Sequence, residues 1–255
     1  MELSVVIIIS KSDSAGLKKT LRGIDDLDAE VILFNTTESA LLVDTRLKCQ
    51  PRIINGKWNG YDRVRYNAAK AASNDWVLML HTGEEPDTVL KDSLQTVDYS
   101  DIYRAYRIRF NNYYKGKHLR HGEWGREYHI RLANKKSIRM DNEQVNESFF
   151  YKQGVPVSEL KGSITHNIVN DSDELVMKYR REAYYAAAKY HLQGRRTGII
   201  KLWLSPVAAF IKNYFFKLGI LDGWYGYVFS KMQAWHHFIK HSRLRQLNRM
   251  IKTPL

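Results

Sequence analysis

Through the first hundred positions, runs of β-branched apolar residues alternate with helical patterns, and the spacing predicts a parallel sheet. Leu3 to Ile9 is a nearly unbroken apolar run closed by the polar stretch Ser10 to Ser14, the signature of a central strand buried on both faces. Lys18 to Gly23 carries a short helical pattern. Glu30 to Phe34 predicts a second strand ending at Asn35, Thr36 and Thr37. Strand, helix and strand in this order make a βαβ unit with a right-handed crossover. Ile53 and Ile54 predict a short third strand, Tyr61 to Ala72 an alanine-rich helix, and Asp75 to Leu80 another buried strand. Ligands gather beyond the carboxyl ends of strands in open parallel sheets, so the loop His81 to Asp87 is expected to line a pocket. Pro86 and Asp87 also read as the cap of a following helix.

From Asp101 the pattern changes. Ile102, Tyr103, Tyr106, Ile108 and Phe110 fit a half-exposed sheet, Tyr114-Lys115-Gly116-Lys117 reads as a turn, and Tyr128 to Leu132 and Ser137 to Met140 predict further short strands. The shift from crossover to hairpin spacing predicts one α/β domain with a mixed central sheet over residues 1–177. Its nucleotide-binding half is about 1–100 and its acceptor-binding half about 101–177. After Asp171 the period becomes helical. One helix spans Asp173 to His191, capped by Asp171 or Ser172; a second spans Ile199 to Leu218, broken or started at Pro206; a third spans Tyr225 to Leu247. Residues 178–255 therefore form a helical C-terminal extension.

Charge changes this picture more than composition does. The chain of 255 residues is 44% hydrophobic and 26% charged, which suits a folded chain with one substantial core. Its single cysteine, Cys49, excludes an internal disulfide and a Cys-x-x-C metal or redox site. Residues 1–10 lack a basic leader and a cleavage site and read as a strand, not an export signal. The net charge is +13, yet residues 1–177 hold 25 basic and 25 acidic side chains, while residues 178–255 hold 15 basic ones against Glu182 and Asp222. A segregated surplus points to an anionic partner. Within residues 197–229, Lys201, Lys212 and Lys217 interrupt the apolar positions, so a spanning helix is not expected. Aromatic residues beside lysines instead predict peripheral binding to an anionic membrane surface. No recognised nucleic-acid module is present, and nucleic acid is not an expected partner.

No G-x-G-x-x-G, Walker or G-x-S-x-G sequence occurs, which removes dinucleotide oxidoreductase, P-loop and α/β-hydrolase chemistry. The polar groups that remain include Glu84, Glu85, His118, Arg120, His121, Glu123, Arg126, Glu127, Arg131, Asn146 and Glu147. The run around His118, Arg120 and His121 reads either as a solvent-facing hairpin or as a loop closing over a sugar, with Trp124 as a platform for its apolar face. A partly buried Glu147 would suit a general base.

Ordered pieces along the chain resemble the family 2 glycosyltransferases, in particular bacterial enzymes adding glucose or a related hexose to the inner core of lipopolysaccharide or lipooligosaccharide. The pieces are Ser4-Val5-Val6-Ile7-Ile8, Trp58-Asn59-Gly60, Asn67-Ala68-Ala69, Asp75-Trp76-Val77-Leu78, Arg107, Tyr114, Gly116, Leu119-Arg120-His121-Gly122-Glu123-Trp124, Arg131-Leu132, Val145-Asn146-Glu147 and Leu218-Gly219-Ile220-Leu221-Asp222-Gly223. The resemblance implies a glycosyltransferase A-type fold, a nucleotide-diphosphate sugar donor, a lipid-linked saccharide acceptor and inverting transfer. It also implies a location on the inner face of the bacterial inner membrane, in the cytoplasm. By position it implies Glu147 as the catalytic base and donor contacts from Ile9, Asn35, Asn67, His81, Gly83, Glu84 and Arg131. Acceptor contacts are implied for Arg120, His121, Glu123, Trp124 and Asn146.

The chain departs from the family pattern where an Asp-x-Asp signature would hold a divalent Mg or Mn ion: His81-Thr82-Gly83-Glu84 stand there, leaving His81 and Glu84 as weak metal candidates. Asn35 replaces an acid after the second strand, and Asn146 a histidine before Glu147. The alternative reading is a catalytically degenerate relative that binds glycan or scaffolds surface-polysaccharide assembly.

Overall fold

In a computed structural model of the protein, residues 2–41, 46–125, 127–138, 154–169 and 171–250 are described. They divide into two compact units, one of residues 1–110 and 128–166, the other of residues 111–127 and 167–255.

The first unit is built on the crossover read from the sequence. Strand β1 (Leu3–Ile9) pairs in parallel with β2 (Glu30–Asn35) and with β4 (Trp76–His81), and β2 pairs in parallel with β3 (Arg52–Asn55). Every residue of β1 is buried, because both faces of the strand are covered. On one side Leu3, Val5, Ile7 and Ile9 meet Leu17, Leu21 and Ile24 of α1 (Ser14–Ile24). On the other, Val6 and Ile8 meet Val64, Ala68 and Ala69 of α2 (Tyr61–Lys70). The alanines of α2 let its axis come close to the sheet.

After β4 the sheet turns antiparallel. The short β5 (Glu85–Pro86) leads into α3 (Thr88–Gln95), where Asp87 caps the helix by accepting the Leu90 amide at 2.7 Å. Then follow β6 (Ala105–Tyr114), β7 (Lys117–His118), β8 (Glu127–Asn134) and β9 (Val157–Asn167). Among the described residues the strand order is β3-β2-β1-β4-β8-β6-β9-β5, with β7 paired to β6. The β6–β7 turn is the one read from Tyr114 to Lys117, with positive φ at Lys115 and Gly116. The strand expected over Ser137 to Met140 is different. Asn134 accepts the Lys136 amide at 2.9 Å and bends the chain into a 3₁₀ turn over Lys135–Ser137, while 139 and 140 lie outside the described residues.

The second unit is helical: α4 (Ser172–Leu192), α5 (Ile199–Ile211) and α6 (Gly223–Met250). Asp171 caps α4 through the Glu174 amide at 2.7 Å. Helix α5 continues through Pro206 and ends in a π-helical turn over Lys212–Phe216. A proline there removes one backbone bond, yet packing of α5 along α6 keeps the helix continuous. The core of this unit gathers Tyr114, Leu119, Trp124, Leu175, Tyr179 and Phe229. No described helix is long and apolar enough to cross a membrane.

Candidate functional site

The parallel strands end side by side. In the register Ile9 lies opposite Asn35 and Ile8 opposite His81, so Ile9, Asn35 and His81 share the carboxyl edge of the sheet. The Ile9 carbonyl accepts both the amide and the hydroxyl of Thr36, each at 2.9 Å. Asn35 is buried and spends its side chain on the loop that follows. Its Oδ1 accepts from the Thr37 amide at 3.0 Å and the Thr37 hydroxyl at 2.7 Å, while its Nδ2 donates to the Ser39 carbonyl and to Asn55 Oδ1. Asn35 thus shapes the loop. Asn67 is exposed on α2.

The loop after β4 is held from within. Gly83 takes a positive φ of 87° and donates its amide to the Thr20 hydroxyl at 2.9 Å. Glu84 is 2% exposed, and its two oxygens are both engaged: Oε2 accepts the His81 amide at 2.8 Å and Oε1 accepts from Arg131 at 2.6 Å. Arg131, on β8, is itself 6% exposed and lies over the Phe110 ring, 5.0 Å from its centroid. Its Nε and Nη1 have no hydrogen-bond partner among the described residues. Buried donors of this kind each cost about 1–3 kcal/mol until an acceptor arrives.

Basic groups surround this point. His129 and His166 both contact the Phe110 ring edge-on, at 4.8 and 6.0 Å between centroids. The His81 pKa is driven well below the ordinary histidine value, first by loss of hydration, then by the charges of Arg131 and Arg65, with His166 and His129 adding to them. His81 is therefore neutral at pH 7, and the fixed positive charge at this edge comes from the arginines.

Among the described residues this arrangement does not make a divalent-cation site: each Glu84 oxygen already accepts a hydrogen bond, and no three His, Cys, Asp or Glu side chains come together there as a metal site.

Of the residues expected on the acceptor side, Arg120, His121, Glu123 and Trp124 lie in the second unit. Asp222 accepts the backbone amides of Arg120 and His121 on one oxygen, at 3.0 and 2.8 Å, and binds His121 Nδ1 through the other at 3.0 Å. The Gly122 amide donates to the Lys217 carbonyl at 2.9 Å, and Glu123 pairs with the Lys217 ammonium. Gly125 closes the loop: a Cβ there would lie 2.2 Å from the Arg120 backbone. Trp124 is core. It is buried, donates from Nε1 to the Tyr179 hydroxyl at 2.8 Å, and has the Lys178 ammonium over its ring at 4.7 Å. A platform for a sugar is not what this ring offers. Glu147, Asn146 and Arg126 lie outside the described residues.

Residues not singled out from the sequence also matter. Thr20 anchors Gly83, and His129 shares the face of β8 that carries Arg131, two positions on, an alternation that the sequence does display. Asp222, noted in the sequence only as one of two acids in the basic tail and as part of the Leu218 to Gly223 piece, had no role assigned to it there.

No protein-family model matches the chain. Over 251 residues the chain is 24% identical to an uncharacterized glycosyltransferase of Rickettsia typhi, the match taking in 94% of this chain and 86% of the relative. An uncharacterized glycosyltransferase of Rickettsia prowazekii matches to the same extent. Among solved structures, that of GalNAc-T7 with UDP, GalNAc and Mn2+ matches 78% of this chain with a TM-score of 0.50 and 11% identity. The chain spans about half of that structure, 52%. The structural likeness shows the fold, which is the α/β architecture with a mixed sheet and helical extension expected from the sequence. The relatives, similar along almost the whole chain, support a glycosyltransferase.

Proposed function

We propose that the protein is an inverting glycosyltransferase of the family 2 type. It would transfer a hexose from a nucleotide-diphosphate sugar to a lipopolysaccharide-core or other lipid-linked acceptor at the inner face of the bacterial inner membrane. The observation that carries the donor half of this reading is Arg131, a buried guanidinium at the carboxyl edge of the sheet whose Nε and Nη1 still lack acceptors among the described residues. A diphosphate supplies anionic oxygens to such a group. GalNAc-T7, which shares the fold, holds UDP and GalNAc in its crystal structure.

In this reading the acceptor hydroxyl attacks the anomeric carbon as the bond to the diphosphate breaks. Glu147 takes the hydroxyl proton, and the charge developing on the leaving diphosphate is balanced by Arg131 from its fixed position. Ile9, Asn35, His81, Gly83 and Glu84 act by building the edge: Glu84 aims Arg131, and Asn35 holds the loop after β2. Asn67 is placed with them by the resemblance alone. Arg120, His121, Glu123 and Asn146 would meet the acceptor, Arg120 and His121 from a loop whose backbone Asp222 holds still.

The test is transfer from a panel of nucleotide sugars to truncated core acceptors, run on the parent and on Glu147→Gln. The parent transfers sugar. The variant binds donor normally and turns over roughly 100-fold more slowly or worse. Near-normal turnover in the variant removes Glu147 from the mechanism. A parent that binds acceptor but no donor, and transfers nothing, establishes the degenerate glycan-binding reading in its place.

A further inference from the structure

Helix α5 is the one described α-helix longer than ten residues that buries none of its side chains, although it is the most apolar in sequence. At about 100° per residue, Ile200, Trp203, Leu204, Val207 and Ile211 fall on one strip of the helix, and all are exposed, Ile200 at 76%. The π-helical turn that follows is exposed as well, at Phe215 and, at 79%, Phe216. The opposite side of α5, with Leu202, Ser205 and Ala209, is half-buried, and α5 packs on α6, where Ser205 Oγ meets His237 Nδ1 at 2.8 Å. Trp203 is steadied at the base of its ring by Phe238, with centroids 5.6 Å apart.

Charge decides what covers this strip. Lys201 and Lys212 fall together on one flank of α5 and are both exposed. Residues 178–255, which carry the strip, hold 15 basic side chains against two acids. A second copy of the chain would set this surplus against itself, whereas an anionic bilayer offers hydrocarbon to the apolar strip and phosphates to its lysine flank. We propose that α5 and the turn after it, residues 199–216, form the membrane-docking element, lying in the plane of an anionic lipid surface with Trp203, Leu204, Val207 and Ile211 below the headgroups. This narrows the membrane location given above to one element and rests on that location, not on the transfer chemistry. The basic end of α6 lies outside it: Arg243 lies over the Tyr184 ring and bonds Gln246.

The experiment is sedimentation of the full chain with vesicles of phosphatidylglycerol in phosphatidylcholine and with phosphatidylcholine alone. The parent binds the anionic vesicles, and high salt weakens it. The triple variant W203S/L204S/V207S loses at least about ten-fold in affinity, and K201E/K212E loses about five-fold or more per lysine. R243E/R245E changes binding less than either. These side chains are exposed, so circular dichroism and the melting temperature stay near those of the parent. The proposal is overturned if the parent ignores anionic vesicles, or if the folded triple variant binds them as well as the parent does. It is equally overturned if the parent sediments as a dimer that the triple variant abolishes, with no lipid binding, since a second copy then covers the strip. Nucleotide-sugar binding, measured by calorimetry on the same proteins, separates the two proposals: vesicle binding without sugar transfer defeats the chemistry and leaves the docking element standing.

Discussion

Two buried carboxylates, Glu84 in the first unit and Asp222 in the second, are used in opposite ways. Asp222 meets two backbone amides and an imidazole, and both of its oxygens are engaged by them. Glu84 also fills both of its oxygens, but its partner Arg131 is left with two buried donors to spare. The first arrangement is closed and holds a loop in shape. The second is open, and folding alone does not satisfy it. A buried ion pair with donors left over is costly as a piece of scaffold, and those spare donors are what the proposed anionic ligand would satisfy.

The largest effect that can break this contrast is expected at Arg131. Arg131→Met should lower turnover by about 10²–10³-fold, as loss of a donor to a developing negative charge does. It should also destabilise the fold by about 3–5 kcal/mol, because Glu84 is left buried and alone. The double variant R131M/E84M separates the two roles. Chemical denaturation should show most of the stability restored, while turnover stays low. Recovery of turnover in the double variant would make the pair scaffold, like Asp222.

Asp222→Ala should do the reverse. Loss of the charge-assisted bonds to the Arg120 and His121 amides should cost about 2–4 kcal/mol in urea unfolding, with nucleotide-sugar affinity unchanged within about two-fold. An Asp222 variant of full stability that no longer binds donor would erase the distinction.

Acid should separate the units further. His236, His237 and His241 have pKa values pushed down to about 4, in each case first by burial and then by the Lys240 charge, with Lys201 and Lys212 adding at His241 and His237 respectively. The unfolded chain then binds more protons than the folded one below the ordinary value of 6.5, so the stability these histidines contribute is lost as pH falls from 6.5 towards 4. In the first unit, burial raises the Glu30 pKa, but bonds from the Ser4 and Ser73 hydroxyls, the Ser73 amide and Arg52 outweigh it and lower it to about 2. That contribution is complete above 4.5 and disappears only between 4.5 and 2. Hydrogen exchange should therefore show protection in α5 and α6 falling before that of β1 and β2. The opposite order would contradict the assignment.

The smallest effect is expected from chelation. Because Glu84 is committed to Arg131 and not to a cation, EDTA should change transfer by less than about two-fold. A strict metal requirement would show that the positive charge at this edge is incomplete without an ion.

Much of this was legible in the chain. The all-apolar run of β1, the polar break at Ser10 and the alanines of α2 lead directly to the parallel sheet, since each is a local pattern with one sterically favoured outcome. The caps at Asp87 and Asp171 and the turn at Gly116 were legible for the same reason. The site was less so. His81, Gly83 and Glu84 were singled out because they follow a buried parallel strand, but nothing local showed that Glu84 would face an arginine 47 residues on. The sequence left Trp124 open as a platform, since an aromatic residue in a polar loop has the same local signature whether its ring lies open or, as here, is buried and bonded to Tyr179.

The sequence by itself determined the order of strands and helices along the chain, the position of the loop after β4 at the end of a parallel strand and the confinement of the net positive surplus to residues 178–255. These depend on periodicity, capping and composition, which act over a few residues. Only the tertiary structure decided which charges meet, because the β4-β8-β6 strand order brings His81, Phe110, His129 and Arg131 together from distant parts of the chain, and no local pattern encodes a strand order. It also decided that the apolar positions of α5 stay outside: a helical period marks one face as apolar, but only the packing of α6 shows that no described residue of the second unit buries it.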